Sequence, residues 1–203
     1  MKNLGKVFEE NWKKSVPGYV FYYRFKDSNN NWARNEQIRF TPSNIADCIL
    51  FNGATLILVE LKSHKGKSIP LNCIMGNKTK IKQIEDLYEA EKYNSVYSQL
   101  VVFFSDVERC FSLPIENVLW FEQLNNRKSI PIEYFEEHGI EIPVHKLQTN
   151  YRYDVNKWLL NFRSCYDENE LYYEWFALAN HRNFTRRNEK NSKYKKGKWR
   201  RKC

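Results

Sequence analysis

Several features that define common protein classes are missing from this sequence. The five cysteines are odd in number and none stands in a CxxC pair, so neither a disulfide framework nor a zinc site is indicated and reduced thiols are expected. No stretch approaches the roughly 18 consecutive apolar residues of a membrane span, and the first residues, MKNLGKVFEENW, contain no signal-peptide core. We therefore expect a cytoplasmic protein with no membrane partner.

Acidic residues are almost absent from the tail, residues 180–203, which carries eleven Lys or Arg and one Glu. This surplus exceeds the net charge of +9, so the rest of the chain is close to neutral. Because basic residues bind phosphates and interleaved aromatic rings can stack on bases, we expect a disordered tail that binds nucleic acid. A tail that only aids solubility is the alternative. The cations expected to contact DNA include Arg186, Arg187, Lys195, Lys196, Arg200 and Arg201.

The composition is that of a folded protein. The chain has 203 residues, of which 42% are hydrophobic and 16% aromatic, enough for one domain with appendages. We expect that domain over residues 1–162, a helical extension over 163–179, and then the tail. Periodicity and turn signals predict an α/β fold. The predicted helices are 3–15, 78–93, 132–137, 154–162 and 167–179, and the predicted strands outside the central hairpin are 19–26, 99–104, 109–113 and 118–121.

The central hairpin is predicted from the run IADCILFNGATLILVELK, which begins at residue 45. The Asn-Gly pair at 52–53 between two apolar runs is typical of a two-residue type I′ loop. In that register Asp47 lies opposite Leu58 and diagonal to Glu60, and Lys62 shares their face. Both faces of the hairpin are otherwise apolar, so we expect a buried sheet in which two carboxylates converge.

Two carboxylates in a dry setting repel each other and lose hydration, so they need a proton or a cation. Lys62 can form an ordinary ion pair with Glu60, which is one interpretation. That pair would not satisfy Asp47, whereas a hard divalent ion would satisfy both acids. On these residues alone, both interpretations remain open.

The order of elements and the motif Asp47, then Glu60-Leu61-Lys62, describe the PD-(D/E)xK nuclease core. Within that superfamily, residues 3–162 resemble the RecU Holliday junction resolvases. The resemblance is carried by the segments GKVFEENW, IADCILFNG, VELKS, SIPLN, KQIEDLY, VVFFSDVERCFSLP, VLWFEQ and NRKSIP. It implies a restriction-endonuclease-like core, with a central mixed sheet flanked by helices. It also implies a homodimeric endonuclease that uses Mg²⁺, replaceable by Mn²⁺, to cut four-way DNA junctions symmetrically in recombination and repair.

The resemblance also implies residue roles. Asp47 and Glu60 match the metal-binding acids, Lys62 the catalytic lysine, Gln83 the helix glutamine near the metal, and Glu9 the catalytic acid of the first helix. Each of the last three has a plainer interpretation. Lys62 is then only a counter-ion, Gln83 a surface amide, and Glu9 a solvated acid favoured by the helix dipole.

Two positions depart from the family pattern. Ala46 stands where relatives can carry a hydroxyl residue, and the loop 27–43 is shorter than the stalk that enters the junction in the family. We expect Trp32, Arg34 and Arg39 of this loop to contact DNA.

Other functions remain open on the sequence. A type II restriction-like or other structure-selective nuclease on the same core is the alternative, and a non-catalytic DNA-binding protein is a third. A resolvase needs two opposed cuts, which favours a C₂ homodimer. We expect its interface at the edge of the sheet or at the aromatic segment 151–162.

Overall fold

The computed structural model describes residues 4–25 and 44–162. The chain divides into two compact units, Met1–Leu159 and Leu160–Cys203, and most of the second unit lies outside the described residues. The predicted helix over 167–179 and the tail also lie outside them.

The described residues alternate between helices and short strands. The helices are α1 (Leu4–Lys13), α2 (Leu71–Met75), α3 (Lys78–Ala90), α4 (Ile115–Leu124) and α5 (Ile132–His138), and residues 155–162 are also helical. The strands are β1 (Phe21–Arg24), β2 (Cys48–Phe51), β3 (Leu56–His64), β4 (Ser68–Pro70), β5 (Val96–Phe104), β6 (Arg109–Pro114), β7 (Ser129–Pro131), β8 (Ile140–Ile142), β9 (Val144–Lys146) and β10 (Tyr151–Tyr153). Within these residues, no helix is both long and apolar enough to cross a membrane.

Six strands form the central sheet, in the order β1-β2-β3-β5-β6-β8. Strands β3 and β5 run parallel and are joined through α3, while the other neighbours are antiparallel. Two small ribbons, β4 with β7 and β9 with β10, complete the strands. The predicted α/β fold with a central mixed sheet flanked by helices is therefore confirmed.

Helices cover the two faces of the sheet in different ways. On one face, the main apolar core joins β3, β5 and β6 to α3, α4 and α5, with Leu100 and Val102 fully buried at its centre. On the other face, Phe8 of α1 stacks on Phe103 with ring centroids 5.8 Å apart. Because successive residues of a strand point to opposite faces, Val102 and Phe103 mark the two layers.

The central hairpin forms, but the predicted two-residue loop is wrong. Residues 52–55 make a longer loop, and Leu58 lies opposite Ile49 rather than opposite Asp47 as predicted. The register is thus shifted by two residues relative to the prediction. Because side chains in a strand alternate with a period of two, this shift leaves every residue on its predicted face.

The wider loop is organised by the side chain of Asn52. Its Oδ1 accepts hydrogen bonds from the backbone N–H groups of Ala54 and Thr55, at 3.1 and 2.9 Å. Gly53 adopts a φ of +97°, a conformation that a side chain would disfavour. Asparagine and glycine therefore mark the turn as predicted, while the Asn52 side chain sets its length.

The strand predicted at 118–121 is also wrong, because these residues belong to helix α4. Residues Ile115, Val118 and Leu119 are buried at helical spacing on the main core. A short apolar run does not distinguish a buried strand from a buried helix, and burial on several sides of α4 removed the usual amphipathic pattern.

The aromatic segment 151–162, one of the two faces predicted for a dimer, packs part of its rings within the protomer. Tyr153 and Trp158 are buried within the protomer, and both rings pack on Trp12 of α1, with centroids 5.9 and 5.6 Å away. The two edges of the central sheet, β1 and β8, are the other faces considered from the sequence.

Candidate active site

Asp47 stands immediately before β2 and is hydrogen-bonded to both neighbours of Glu60. Its backbone N–H donates to the carbonyl oxygen of Val59 at 3.1 Å, and its Oδ2 accepts from the backbone N–H of Leu61 at 2.7 Å. Asp47 therefore flanks Glu60 directly on the neighbouring strand. The two acids predicted from the sequence are brought together, although not through the predicted diagonal pairing.

Glu60 lies in the middle of β3 and is only 3% exposed. Its Oε1 forms an ion pair with Nζ of Lys62, two residues further along the strand. Its Oε2 accepts a hydrogen bond of 2.8 Å from Nε2 of Gln83, on α3. The sheet and the helix that covers it thus hold both oxygens of this carboxylate.

Burial is the main cause of an unusual titration at this site. Burial and the nearby charge of Asp47, opposed by Lys62, together raise the pKa of Glu60 to about 7. Burial alone would lower the pKa of Lys62, but the charges of Glu60, Asp47 and Glu9 outweigh that effect and raise it. The site therefore favours additional positive charge next to Glu60, as either a proton or a cation.

The donor atoms of the site suit a hard divalent cation. Asp47 and Glu60 supply carboxylate oxygens, and Leu61 lies between the acid and the lysine of the motif. Among residues 4–25 and 44–162, no group of three or more His, Cys, Asp or Glu is placed to hold a metal ion. Mg²⁺ commonly uses one or two carboxylates and takes its remaining ligands from water and phosphate. The residues present therefore fit Mg²⁺ better than a metal that needs a complete protein cage.

Glu9 is near this site but belongs to the layer of α1. It forms an ion pair with Arg24, the last residue of β1. Arg24 lies opposite Cys48 in the β1–β2 pairing, and Cys48 directly follows Asp47. The charge of Glu9 also contributes to the raised pKa of Lys62. Sequence reasoning missed Arg24. Its signal is the single charge in the otherwise aromatic strand FYYR.

The remaining candidate site residues lie outside the described residues. They are Trp32, Arg34 and Arg39 of the loop, and Arg186, Arg187, Lys195, Lys196, Arg200 and Arg201 of the tail.

Comparison with known proteins gives a family match over the same part of the chain. The family model described as RecU, Recombination protein U, matches residues 40–157 and so includes Asp47, Glu60, Lys62 and Gln83. A Bacillus subtilis (strain 168) protein, the SPbeta prophage-derived uncharacterized protein YotM, is 32% identical over 169 residues. That match covers 76% of this chain and 84% of the relative.

Among solved structures, the chain resembles Archaeoglobus fulgidus Hjc, a Holliday junction resolvase from an archaeal hyperthermophile. The TM-score is 0.39 at 15% sequence identity, with 67% of this chain and 90% of that chain covered. The family match and the bacterial relative, rather than this structural likeness, establish the assignment.

The fold and the site define an α/β protein with paired acids and a lysine on adjacent strands of a mixed sheet. The chain belongs to the RecU family of recombination proteins.

Proposed function

We propose that this protein is a metal-dependent endonuclease that resolves four-way DNA junctions by paired symmetric incisions. It acts on branched DNA in the cytoplasm, during recombination and repair. Membership in the RecU family supports the connection with recombination. The observation that carries the proposal is that Asp47 bonds to the residues on both sides of buried Glu60, while Lys62 is ion-paired to the Glu60 carboxylate.

Asp47, Glu60 and the carbonyl oxygen of Leu61 would hold Mg²⁺, and Mn²⁺ is expected to substitute. Bound there, the ion would polarise the scissile phosphate and lower the pKa of a coordinated water. Gln83 belongs to the surroundings of the metal, because its amide donates to Oε2 of Glu60 and fixes that carboxylate from the helix side. Such support from neighbouring elements orients metal ligands in many sites.

Lys62 contributes a positive charge that the site keeps protonated, because the surrounding acids raise its pKa. A protonated amine at this position can orient the attacking water or stabilise charge that develops on the phosphate oxygens. Glu9 adds to the field that raises the pKa of Lys62 and is held by Arg24. We propose that Glu9 acts on the site through Lys62, as a positioning residue.

Paired incision requires two active sites, and we propose a C₂ homodimer. The edge strand β1 supports this proposal. Phe21 and Tyr23 are 60% and 47% exposed, and Phe51, which lies opposite Phe21 on β2, is 40% exposed. Within residues 4–25 and 44–162, β1 is an outer strand of the sheet, and exposed aromatic side chains at a strand edge are typical of an association surface.

The experiment that tests the function uses three labelled substrates in parallel: a four-way junction, a linear duplex and a flap. Purified protein with Mg²⁺ should cut the junction at related positions on opposed strands and leave the duplex intact. Equal cutting of duplex and junction would favour the alternative structure-selective or restriction-like nuclease.

The dimer is tested separately by sedimentation and by a plasmid that extrudes a cruciform. We expect a dimer at micromolar concentration and linear plasmid as the first product. A monomer that releases singly nicked plasmid would contradict paired incision.

A further inference from the structure

The described residues carry a basic surface that helix α3 connects to the candidate active site. Residues 61–84 contain six lysines and no Asp or Glu, and residues 123–132 contain Arg127 and Lys128, again without an acid. Six of these cations are exposed, and we call them the basic ridge. They are Lys65, Lys67, Lys78, Lys82, Arg127 and Lys128.

The fold joins these two segments, which are far apart in sequence. Strands β4 and β7 pair antiparallel, with Ile69 opposite Ile130. At one end of the ribbon the N–H of Ile132 donates to the carbonyl oxygen of Lys67 at 2.8 Å, and at the other the N–H of Leu71 donates to that of Lys128 at 2.9 Å. Backbone hydrogen bonds therefore hold Lys67 and Lys128 at the two ends of one ribbon, while Lys78 and Lys82 lie on α3.

The same ribbon is connected to the candidate active site. Helix α2 follows β4 without a break, and Nζ of Lys80 on α3 donates to the carbonyl oxygen of Cys73 on α2 at 3.1 Å. Gln83, which donates to Glu60, lies one turn after Lys80. Helix α3 thus contacts α2 through Lys80 and the paired acids through Gln83.

None of the ridge cations has an acidic partner among the described residues, in contrast to Arg109 and Lys146. Arg109 is ion-paired with Glu136 and Glu141, and Lys146 with Glu108. Within residues 4–25 and 44–162, no ridge cation makes an ion pair. A surface that gathers six cations without neutralising them attracts a polyanion.

We propose that the basic ridge binds the phosphate backbone of a DNA duplex arm beside the cleavage position. The inference rests on the proposed function, because it places the arm next to the acids that would cut it. Phosphate contacts position a protein on DNA without reading its sequence. The ridge would therefore hold a duplex arm of any base sequence beside Glu60.

The test compares two triple variants of the full chain. In the ridge variant, Lys67, Arg127 and Lys128 are each replaced by Gln. In the control variant, Lys6→Gln, Lys13→Gln and Lys14→Gln remove three exposed cations on or directly after α1, the helix on the opposite layer. Junction and linear-duplex binding are measured with Ca²⁺ in place of Mg²⁺, over about 50 to 200 mM salt.

Each lost phosphate contact should reduce the slope of log affinity against log salt by about 0.9, so the ridge variant should lose about 2.7. Over this fourfold salt range, the factor by which the affinity of the ridge variant falls should be about 40 times smaller than the factor for the wild type. The control should keep the wild-type slope. A ridge variant with an unchanged slope, or a control that loses as much, would overturn the proposal.

Two further readouts keep the outcome clear. Circular dichroism should show that both variants fold, as expected because the ribbon is held by backbone hydrogen bonds. Cleavage of a junction by the wild type tests the proposed function independently. If the wild type binds DNA but cuts nothing, the slopes still decide whether the ridge contacts phosphate.

Discussion

Replacing Glu60 by glutamine should change how the stability of the protein depends on pH. Glu60 has an ordinary pKa of 4.5 and a pKa of about 7 in the folded chain, mainly because it is buried. The folded state therefore binds the proton more tightly than the unfolded state. The wild type is stabilised below about pH 4.5 and loses that contribution as the pH rises through about 7. A glutamine amide carries no titrating proton, so the variant lacks this loss.

The size of this stability change follows from the difference between the pKa values of Glu60 in the folded and unfolded states. With these two pKa values, the wild type loses about 2.5 kcal/mol of unfolding free energy between about pH 5 and pH 8 through Glu60 alone. Glu60→Gln should therefore gain about 2.5 kcal/mol relative to the wild type over that interval. Urea denaturation followed by circular dichroism in EDTA measures it. Glu133→Gln, at an exposed acid of α5, should follow the wild type.

If the unfolding free energies of Glu60→Gln and the wild type differ by the same amount at about pH 5 and at about pH 8, this account of the buried carboxylate is refuted.

Added Mg²⁺ gives an independent check of the metal site. At about 100 times its dissociation constant, a bound ion adds about 2.7 kcal/mol of stability. We expect Mg²⁺ to stabilise the wild type at pH 8 and to leave Glu60→Gln nearly unchanged.

Three further predictions concern other parts of the chain. Burial raises the pKa of Glu91 to about 8, and Glu91→Gln keeps an acceptor for the N–H of Ser98. The unfolding free energy of this variant should therefore rise by roughly 4 kcal/mol relative to the wild type between about pH 5 and pH 9, and urea titrations without this rise would contradict the prediction. Gly53→Ala should destabilise by about 1–2 kcal/mol because of its φ of +97°, whereas Gly18→Ala should cost little; equal melting temperatures would contradict this. Removal of residues 180–203 should flatten the salt dependence of binding for all DNA forms, and an unchanged slope would assign the tail to solubility.

The faces of the hairpin could be predicted from the sequence, while its register could not. Alternation of apolar residues fixes which side chains share a face, and a shift of two residues preserves that result. This is why Asp47, Glu60 and Lys62 lie together despite the wrong loop. The loop length depends on hydrogen bonds made by the side chain of Asn52, which the Asn-Gly pattern does not specify.

Features that depend on contacts between distant segments of the chain could not be predicted from the sequence either. Part of helix α4 was predicted as a strand because the sequence does not reveal that α3, β5 and β6 all pack against it. The ion pair between Glu9 and Arg24 depends on how α1 sits beside β1, which neither segment encodes alone. The basic ridge similarly appears only when β4 pairs with β7.

Separation of binding from cleavage at the paired acids tests the central claim most directly. Wild type, Asp47→Asn and Glu60→Gln are assayed on one labelled four-way junction, for binding in Ca²⁺ and for cleavage in Mg²⁺, with Glu133→Gln as the control. We expect all four proteins to bind the junction with similar affinity, and only the wild type and the control to cut it. Retention of most of the wild-type turnover by Asp47→Asn or Glu60→Gln would contradict the assignment of this site.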